Sequence, residues 1–451
     1  MVPYFLVITY KFLHIYEKKN GQEYMKRKWM ILVIVFFMLF LFLERGEREG
    51  QKQMESVLPW KKDQKQVGKG IRVLIKNNGF KNITHAEVKV SSEKELLVIY
   101  GERKISIEPN EVQEFRPDHP WFQNGNMIHI KSTEQAEIII HTIERGCGIA
   151  KYRGTIDLYA TAEGIVIVND LPVEEYLKRV VPSEMPAAYE IEALKAQAVC
   201  ARSYAYRQME SLAYSEYGAH VDDSTSFQVY GNSAEHERAT RAVEETEGAV
   251  LCYQGEVATA YFFSTSCGKT TGIEAWNVEK PERYEYLQSI SVCDETGVDY
   301  ENGLPWYQWS ACVSKNQLKN IIELDQKVEL GEIRQIEILK TGAGGVVIEL
   351  KVTGVMGEVV INNENKIRKA LGDSSYQITR NDGSVVNGSD LLPSAFFNLK
   401  LEGEQYVIQG GGYGHGIGMS QNGANEMAKR GLNYKEILNV FYDKTDILYV
   451  E

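Results

Sequence analysis

The sequence has no long run of lysine and arginine after residue 28, although its 451 residues include 50 Lys and Arg. With 62 Asp and Glu, the formal net charge is −12, which argues against binding to nucleic acid or to an anionic surface. A neutral or cationic partner fits this composition better. The hydrophobic fraction of 43% and the charged fraction of 25% are ordinary for a globular protein, and the length is sufficient for two or three domains.

A cleavage site of the small-x-small type is absent after the most apolar segment. Residues 26–28 are basic, and the fifteen residues 29–43 carry no charge. Residues 1–44 are therefore predicted to be a cytoplasmic tail and a single-pass signal anchor in the cell membrane, and 45–67 a linker that leads to a folded region outside the cytoplasm. Because a spanning helix has roughly 20 residues, a cleaved signal peptide is the alternative. Met25 is a second candidate start.

C-x-x-C pairs are also absent, so the six cysteines do not indicate a zinc-finger framework. Export from the cytoplasm permits disulfide bonds, and Cys267 with Cys293 is the preferred candidate pair. Cys200 occupies an alanine-like position in a helical segment and is predicted to be a small buried residue.

Two glycine-bearing segments fail to match nucleotide-binding motifs. The segment SCGKTT ends like a phosphate-binding loop, but the motif requires glycine where Phe263 stands. The segment 410–424, GGGYGHGIGMSQNGA, lacks the context of a dinucleotide-binding fingerprint. Such a loop can bring backbone close to a ligand, because glycine has no Cβ, and it would present His415, Ser420 and Gln421. The alternative is a tight turn leading into a helix capped by Ser420.

From Gly70 onward, short runs of β-branched residues alternate with Gly, Asn, Lys and Glu. This pattern predicts a small β-rich N-terminal domain over residues 68–145. Residues 146–451 mix strand patterns with helix patterns and are predicted to form a mixed α/β domain. Two C-terminal helices are predicted in it, in the segments SQNGANEMAKRG and NYKEILNVFY. The predicted fold class is therefore α+β.

Two predicted helices flank a single carboxylate, Glu184. The segment VEEYLKRVV predicts a helix of about two turns that ends at Pro182. Residues 190–211 contain strong helix formers throughout. Their apolar stripe consists of Ile191, Leu194, Ala198, Ala201 and Ala205.

Two interpretations of Glu184 are open. A catalytic acid that keeps its proton near neutral pH needs partial burial against apolar groups, which Met185, Pro186 and Tyr189 can supply. Alternatively, the carboxylate caps the helix that follows. Glycoside hydrolases generally need two carboxylates, but one can suffice where a hydroxyl of the sugar itself is the attacking group.

Polar and aromatic residues in the same segments are candidates for binding a sugar, through hydrogen bonds to hydroxyls and stacking on ring faces. The candidates are Ser183, Gln197, Arg202, Tyr204, Gln228, Tyr230, His415, Ser420 and Gln421.

Over residues 146–451 the sequence resembles the sporulation protein D and amidase-enhancer (LytB-like) family. The resemblance is carried by five segments in the family's order, YRGTIDLYATAEGIVIVNDLPVEEYLKRVVPSEMP, EALKAQAVCARSYA, DSTSFQVYG, AYFFSTSCGKTT and GGGYGHGIGMSQNGANEMAKRGLNYKEILNVFY. It implies that 146–451 is the catalytic domain of a membrane-anchored peptidoglycan lytic transglycosylase, active in sporulation or cell-wall remodelling. Such an enzyme cleaves the bond from MurNAc to GlcNAc without water and leaves a 1,6-anhydroMurNAc end.

By its position in PSEMP, Glu184 matches the catalytic acid/base of this family. The resemblance also implies glycan strands as substrate, which sporulation members prefer without stem peptides. It implies a cell-wall amidase or engulfment proteins as protein partners.

The sequence departs from the family at a metal-binding segment. Some sporulation members hold zinc with His and Cys there, but Phe263 stands where a His is often found and Cys267 is the only obvious ligand. No cofactor is therefore expected, with zinc as the alternative.

Two other functions stay open. One is a non-catalytic glycan-binding module that enhances a cell-wall amidase. The other is a hydrolytic glycosidase, which requires a second acid, for which Asp222, Asp223 and Glu174 are the candidates.

Overall fold

The computed structural model of the protein describes residues 70–125, 127–279 and 281–450. The predicted tail and anchor (1–44) and linker (45–67) lie outside the described residues. Within the three described ranges, no helix combines the length and the apolar character that crossing a membrane requires. Helices and several sheets are mixed along this part of the chain, which confirms the predicted α+β class.

The described residues contain seven α-helices and 24 strands. The helices are α1 Val173–Glu184, α2 Ile191–Gln208, α3 Glu237–Glu244, α4 Lys315–Gln326, α5 Glu364–Leu371, α6 Gln421–Lys429 and α7 Tyr434–Phe441. The strands are β1 Ile71–Ile75, β2 Val88–Ser91, β3 Leu96–Tyr100, β4 Arg103–Ile107, β5 Gln113–Phe115, β6 Ile128–Ser132, β7 Ile138–Arg145, β8 Gly148–Tyr152, β9 Thr155–Thr161, β10 Gly164–Leu171, β11 Val221–Asp222, β12 Ala249–Tyr253, β13 Glu256–Val257, β14 Phe262–Phe263, β15 Trp309–Ser314, β16 Ile333–Thr341, β17 Val347–Gly354, β18 Glu358–Asn362, β19 Gln377–Arg380, β20 Val385–Asn387, β21 Phe397–Glu402, β22 Gln405–Gly410, β23 Met419–Ser420 and β24 Asp446–Tyr449.

The first strands form a seven-stranded sheet in the order β11-β1-β10-β9-β6-β3-β4 and a four-stranded sheet in the order β5-β2-β7-β8. β1 pairs antiparallel with β10 and parallel with β11. β8, β9 and β10, which follow the predicted boundary at residue 145, belong to the same sheets as strands that precede it. The boundary therefore does not separate two sheets. β10 is central, and its β-branched residues Ile165 to Val168 are fully buried, as is typical of a strand covered on both faces.

Helix α2 is the central helix of the region that follows. It packs against α1, α3, α6 and α7 and against β12. The predicted apolar stripe is buried apart from the partly exposed Ile191, and Cys200 is buried as predicted. The Cys200 thiol lies 3.3 Å from the Tyr442 hydroxyl. Because no Gly or Pro interrupts this segment, the helix propensity and the burial of the stripe favour the same structure.

Helix α1 continues through Pro182 to Glu184, so the predicted end at Pro182 is wrong. Proline lacks an N–H and normally disrupts the turn before it. Here the Met185 N–H donates to the Val181 carbonyl at 2.9 Å and the Ser183 hydroxyl donates to the Arg179 carbonyl at 2.6 Å. These bonds close the last turn and place Glu184 at the C-terminal end of the helix.

The C-terminal half contains a five-stranded sheet in the order β20-β19-β15-β22-β21 and a three-stranded sheet in the order β16-β17-β18. α4 packs on β15, and α5 packs on β17. The two C-terminal helices predicted from the sequence are present as α6 and α7. α7 begins with a capping box formed by Asn433 and Glu436.

Candidate active site

Glu184 lies at the corner between α1 and α2, with buried Met185 beside it. Its Oε1 accepts a hydrogen bond from the Val229 N–H at 2.6 Å. The residue at the N-cap of α2 is Glu190, and it makes no side-chain cap. The interpretation of Glu184 as the cap of the following helix is therefore wrong, because its carboxylate is bound to a segment 45 residues further along the chain.

Burial raises the pKa of Glu184 to about 7, and the hydrogen bond from Val229 opposes this shift only in part. No Lys, Arg or His among the described residues forms an ion pair with it. A carboxyl group with this pKa is about half protonated at neutral pH, so it can donate a proton and accept one in the same reaction.

A cleft of about 570 Å³ is lined by Gln228, whose neighbour Val229 donates its N–H to Glu184. Three predicted sugar-binding residues line it, namely Tyr204, Gln228 and His415, and the structure adds Trp276. Burial, Tyr261 and Glu184 raise the pKa of the Tyr204 hydroxyl, so Tyr204 lies within electrostatic range of the Glu184 carboxylate.

Gln228 connects the cleft to the acid. Its Oε1 accepts from the Tyr176 hydroxyl at 3.3 Å, and its Nε2 donates to the Ala201 carbonyl at 3.3 Å. The next residue, Val229, supplies the N–H that binds Glu184. The buried Gln228 side chain therefore fixes the backbone at Val229, whose N–H orients the Glu184 carboxylate.

Gln421 contacts both the backbone of Glu184 and the side chain of Gln197. The Gln421 Nε2 donates to the Glu184 backbone carbonyl at 3.2 Å and contacts the Gln197 Oε1 at 3.4 Å. Both side chains are more than nine-tenths buried, and the Gln197 Nε2 has no hydrogen-bond partner among the described residues. This pair attaches α6 to the corner that carries the acid.

His415 borders the cleft with its ring rather than with a free nitrogen. Its Nδ1 accepts from the Ile417 N–H at 3.1 Å, so Nε2 carries the hydrogen that is donated to the Phe262 carbonyl at 2.9 Å. Burial lowers the pKa of His415 to about 3, and the ring packs 5.0 Å from Trp276. His415 is therefore a neutral part of the cleft wall.

Three predicted sugar-binding residues are buried away from the cleft, and their assignment is corrected. Arg202 has no exposed surface, and both its Nε and its Nη2 donate to the Glu174 carboxylate at 2.7 Å. The buried Tyr230 hydroxyl donates to Asn169 at 2.8 Å. Ser420 caps α6 by accepting from the Gly423 N–H, so the capping alternative was the right one.

Ser183 is partly exposed, but its hydroxyl is engaged on both sides. It donates to the Arg179 carbonyl at 2.6 Å and accepts from the Ser233 N–H at 3.0 Å. The structure therefore places Ser183 beside Glu184 as a link between α1 and the loop that contains Ser233.

The three candidates for a second acid all have other partners. Glu174 binds Arg202, and Asp223 binds the Arg145 guanidinium at 2.6 Å. Asp222 accepts from the Tyr214 hydroxyl through Oδ2 and from Ser224 through Oδ1.

The cleft contains one carboxylate that the sequence analysis missed. Glu364 lines the cleft, but it is buried, pairs with Arg368 at 2.9 Å and accepts from the Trp276 indole at 3.1 Å. A carboxylate held in this way resembles a structural ion pair more than a second catalytic acid.

A second missed residue is Glu301, which is fully buried near the start of α6. Its carboxylate accepts from the Ser266 N–H at 3.0 Å, from the Ser266 hydroxyl and from the Ser420 hydroxyl at 2.8 Å. Burial raises its pKa to about 7. Nothing in the local sequence signals this role, since the two serines lie far from it in the chain.

The glycine-rich loop passes close to other backbone segments. A Cβ on Gly418, whose φ is +75°, would lie 2.0 Å from the Tyr261 carbonyl oxygen. A Cβ on Gly411 would lie 2.5 Å from the Tyr307 carbonyl oxygen. Only glycine fits at these two positions, because a Cβ would clash with the neighbouring carbonyl oxygen. The loop then continues into β23 and α6.

The disulfide prediction is not supported. Cys267 and Cys293 are both free thiols, so the predicted disulfide is absent, and the Cys267 side chain lies against Gly411. Burial raises the pKa of Cys267 to about 11, which keeps the thiol protonated. No three His, Cys, Asp or Glu side chains in the described ranges come together as a metal-binding group. A single protonated thiol does not fit a structural zinc site.

Two family models match separate parts of the chain. A family model described as Stage II sporulation protein matches residues 161–253, and a model of a domain of unknown function matches 277–418. Stage II sporulation protein D of Bacillus subtilis (strain 168) is 33% identical over 316 residues, which are 65% of this chain and 78% of the relative.

Two further relatives extend this finding. Stage II sporulation protein D of Bacillus amyloliquefaciens is 31% identical over 295 residues, which cover 62% of this chain and 75% of the relative. The amidase enhancer of Bacillus subtilis (strain 168) is 28% identical over 294 residues, but this chain spans only 40% of its length. The chain therefore belongs to the stage II sporulation protein D family.

Proposed function

We propose that the protein is a peptidoglycan lytic transglycosylase in which Glu184 acts as both general acid and general base. One observation carries the proposal. Glu184 is an unpaired, partly buried carboxyl with a pKa of about 7, bound to the Val229 N–H, and the adjacent Gln228 lines a polar and aromatic cleft. The carboxylates considered as a second acid are all bound to other groups, which favours a reaction with a single acid.

The proposed reaction needs no water. Protonated Glu184 donates its proton to the glycosidic oxygen while the bond from that oxygen to the anomeric carbon of MurNAc breaks. The 6-hydroxyl of the same MurNAc then attacks the anomeric carbon and gives its proton to the Glu184 carboxylate. The products are a 1,6-anhydroMurNAc end and a free GlcNAc hydroxyl, and Glu184 is protonated again.

The surroundings of Glu184 suit both halves of this cycle. Burial favours the protonated form that starts the reaction. The Val229 N–H stabilises the carboxylate that exists after the proton has been donated. No metal takes part in the proposed steps.

The cleft would hold the sugars beside Glu184. The rings of Tyr204 and Trp276 offer stacking surfaces, and the exposed Asn365 offers an amide group to hydroxyls and N-acetyl groups. A polar and aromatic lining of this kind suits a sugar chain.

The predicted anchor would hold this site at the outer face of the cell membrane, where peptidoglycan is accessible. Glycan strands are the proposed substrate, and a cell-wall amidase or engulfment proteins are the proposed protein partners. The second candidate function is a non-catalytic module that enhances an amidase, and it is supported by the similarity to the amidase enhancer of Bacillus subtilis (strain 168).

The replacement Glu184→Gln separates the two functions. The amide keeps the size of the side chain but cannot donate and regain a proton, so cleavage of glycan strands should fall at least a hundredfold while binding persists. Glu190→Gln is the matched control, because Glu190 is exposed and lies at the start of α2. Glycan binding without cleavage by the wild-type protein would support the amidase-enhancing module.

A further inference from the structure

The five-stranded sheet has one buried face and one polar face. Direct cross-strand pairing places Asn398 opposite Gln409, Gln409 opposite Ser310, and Ser310 opposite Thr379. Because paired residues point to the same side of a sheet, these four side chains form one row. The neighbouring row, which includes Ile408, Ala311 and Ile378, is buried in the core.

The row forms the floor of a groove of about 860 Å³. Tyr307 and Phe396 contribute aromatic surface to it, and the segment around Gly344 forms part of its wall. The side chains of the polar row make no hydrogen bond with any described residue. Several amide and hydroxyl groups are thus available to a ligand along one line.

The charges in the groove have one sign. Lys269 and Arg380 line it, and no Asp or Glu does. Arg380 donates to the Ser384 hydroxyl at 2.7 Å and lies 4.0 Å from Asp382, whereas Lys269 is exposed and forms no ion pair with a described residue. This local positive charge contrasts with the net charge of −12 of the whole chain.

The groove is distinct from the cleft beside Glu184, although one loop borders both. Gly410 and Gly411 line the groove, and His415 of the same loop lines the cleft. The groove lies largely within residues 277–418, the region that matches a domain of unknown function.

We propose that this groove is a second glycan-binding site, which takes a sugar strand that carries free carboxylates. The amide row would bind hydroxyl and N-acetyl groups, the aromatic residues would contact ring faces, and Lys269 would pair with the lactyl carboxylate of MurNAc. That carboxylate is free only where the stem peptide is absent. The inference rests on the proposed function, because it assumes that the protein acts on peptidoglycan.

The test uses the Glu184→Gln protein, so that binding is measured without cleavage. Isothermal titration would compare peptide-free MurNAc–GlcNAc oligomers with neutral GlcNAc oligomers of equal length. Adding Gln409→Glu introduces a negative charge in nearly the same shape and should weaken binding of the carboxylate-bearing oligomer about tenfold. Binding of the neutral oligomer should change less than twofold. Gln335→Glu, at an exposed position of β16, is the matched control.

A second variant, Asn398→Trp, fills the groove and should weaken binding of both oligomers. Asn398 is exposed on the edge strand β21, where tryptophan is well tolerated, and thermal unfolding would verify the fold. Unchanged binding of both oligomers in both variants would overturn the inference, whatever the wild-type protein cleaves. Groove-dependent binding by a wild-type protein that cleaves nothing would uphold the second site and reject the proposed chemistry.

Discussion

The Glu184 carboxylate accepts a hydrogen bond from the Val229 N–H, with 2.6 Å between Oε1 and the backbone nitrogen. This bond joins the end of α1 to the loop that lines the cleft through Gln228. It holds a largely desolvated acid at a fixed position while leaving its other oxygen without a described hydrogen-bond partner. This geometry suits the proton exchange with bound glycan that we propose for Glu184.

The pH dependence of cleavage should follow Glu184. Because burial raises its pKa to about 7, the protonated form dominates below pH 7 and is lost above it. We expect kcat/KM for peptide-free strands to be level from about pH 5.5 to 6.5 and to fall about tenfold per unit at high pH. Initial rates at low substrate concentration measure this profile. A kcat/KM that rises through pH 7 would mean that the ionised form starts the reaction.

Glu301 should control stability rather than chemistry. Replacing it with alanine leaves the buried hydroxyls of Ser266 and Ser420 without their acceptor, so the free energy of unfolding should fall by about 2–4 kcal/mol. Denaturation by urea measures this change. Glu404→Gln, at a highly exposed position, should change it by less than about 0.5 kcal/mol.

The same residue should make stability depend on pH. Its pKa of about 7 in the folded protein exceeds that of an unfolded glutamate, so the folded state binds more protons between about pH 4.5 and 7. Stability is therefore greatest at the acidic end of this window and falls as the pH rises through it. Glu301→Gln removes this contribution, and urea denaturation at pH 5 and pH 8 should differ less in the variant than in the wild-type protein. An equal difference would show that Glu301 does not titrate in this window.

Arg202 should be a structural residue, although its position in the sequence suggested contact with sugar. Replacement by methionine removes its two bonds to Glu174, and the free energy of unfolding should fall by about 3 kcal/mol. The KM of the folded variant should change less than twofold. Arg207→Met, on the same helix with an exposed partner, should cost less than about 1 kcal/mol. A large rise in KM without loss of stability would return Arg202 to the binding site.

Gly418 in the glycine-rich loop allows a direct test of the close contact between this loop and the Tyr261 carbonyl. Alanine at Gly418 places a methyl group 2.0 Å from the Tyr261 carbonyl oxygen, so it should destabilise the protein by about 2 kcal/mol or more and reduce cleavage. Gly431→Ala is the control, because Gly431 also has a positive φ but no atom within 4 Å of the added carbon. The control should cost about 1 kcal/mol and should leave kcat unchanged. Equal losses in the two variants would mean that the contact with Tyr261 does not matter.

The sequence predicted the features that depend on local pattern. The strong helix formers and the apolar stripe of α2 identified that helix, the segments SQNGANEMAKRG and NYKEILNVFY predicted α6 and α7, and the PSEMP segment singled out Glu184. The predicted helix end at Pro182 failed because the hydrogen bonds of Ser183 and Met185 extend α1 past the proline.

The features that the sequence did not predict depend on partners far apart in the chain. Arg202 pairs with a carboxylate 28 residues earlier, and Glu301 accepts a hydrogen bond from a serine 119 residues later. Such pairs leave no periodic signal, so polar residues that looked available for sugar are engaged within the fold. The bond from Val229 to Glu184 belongs to the same class.

The most direct test of the central claim is mass spectrometry of the products that the region from about residue 52 releases from glycan strands. Strands with and without stem peptides are compared, for the wild-type protein and for Glu184→Gln. The account predicts 1,6-anhydroMurNAc ends from the wild-type protein on peptide-free strands and none from the variant. Reducing ends, heavier by one water, would contradict it, since they require an activated water and a second acid.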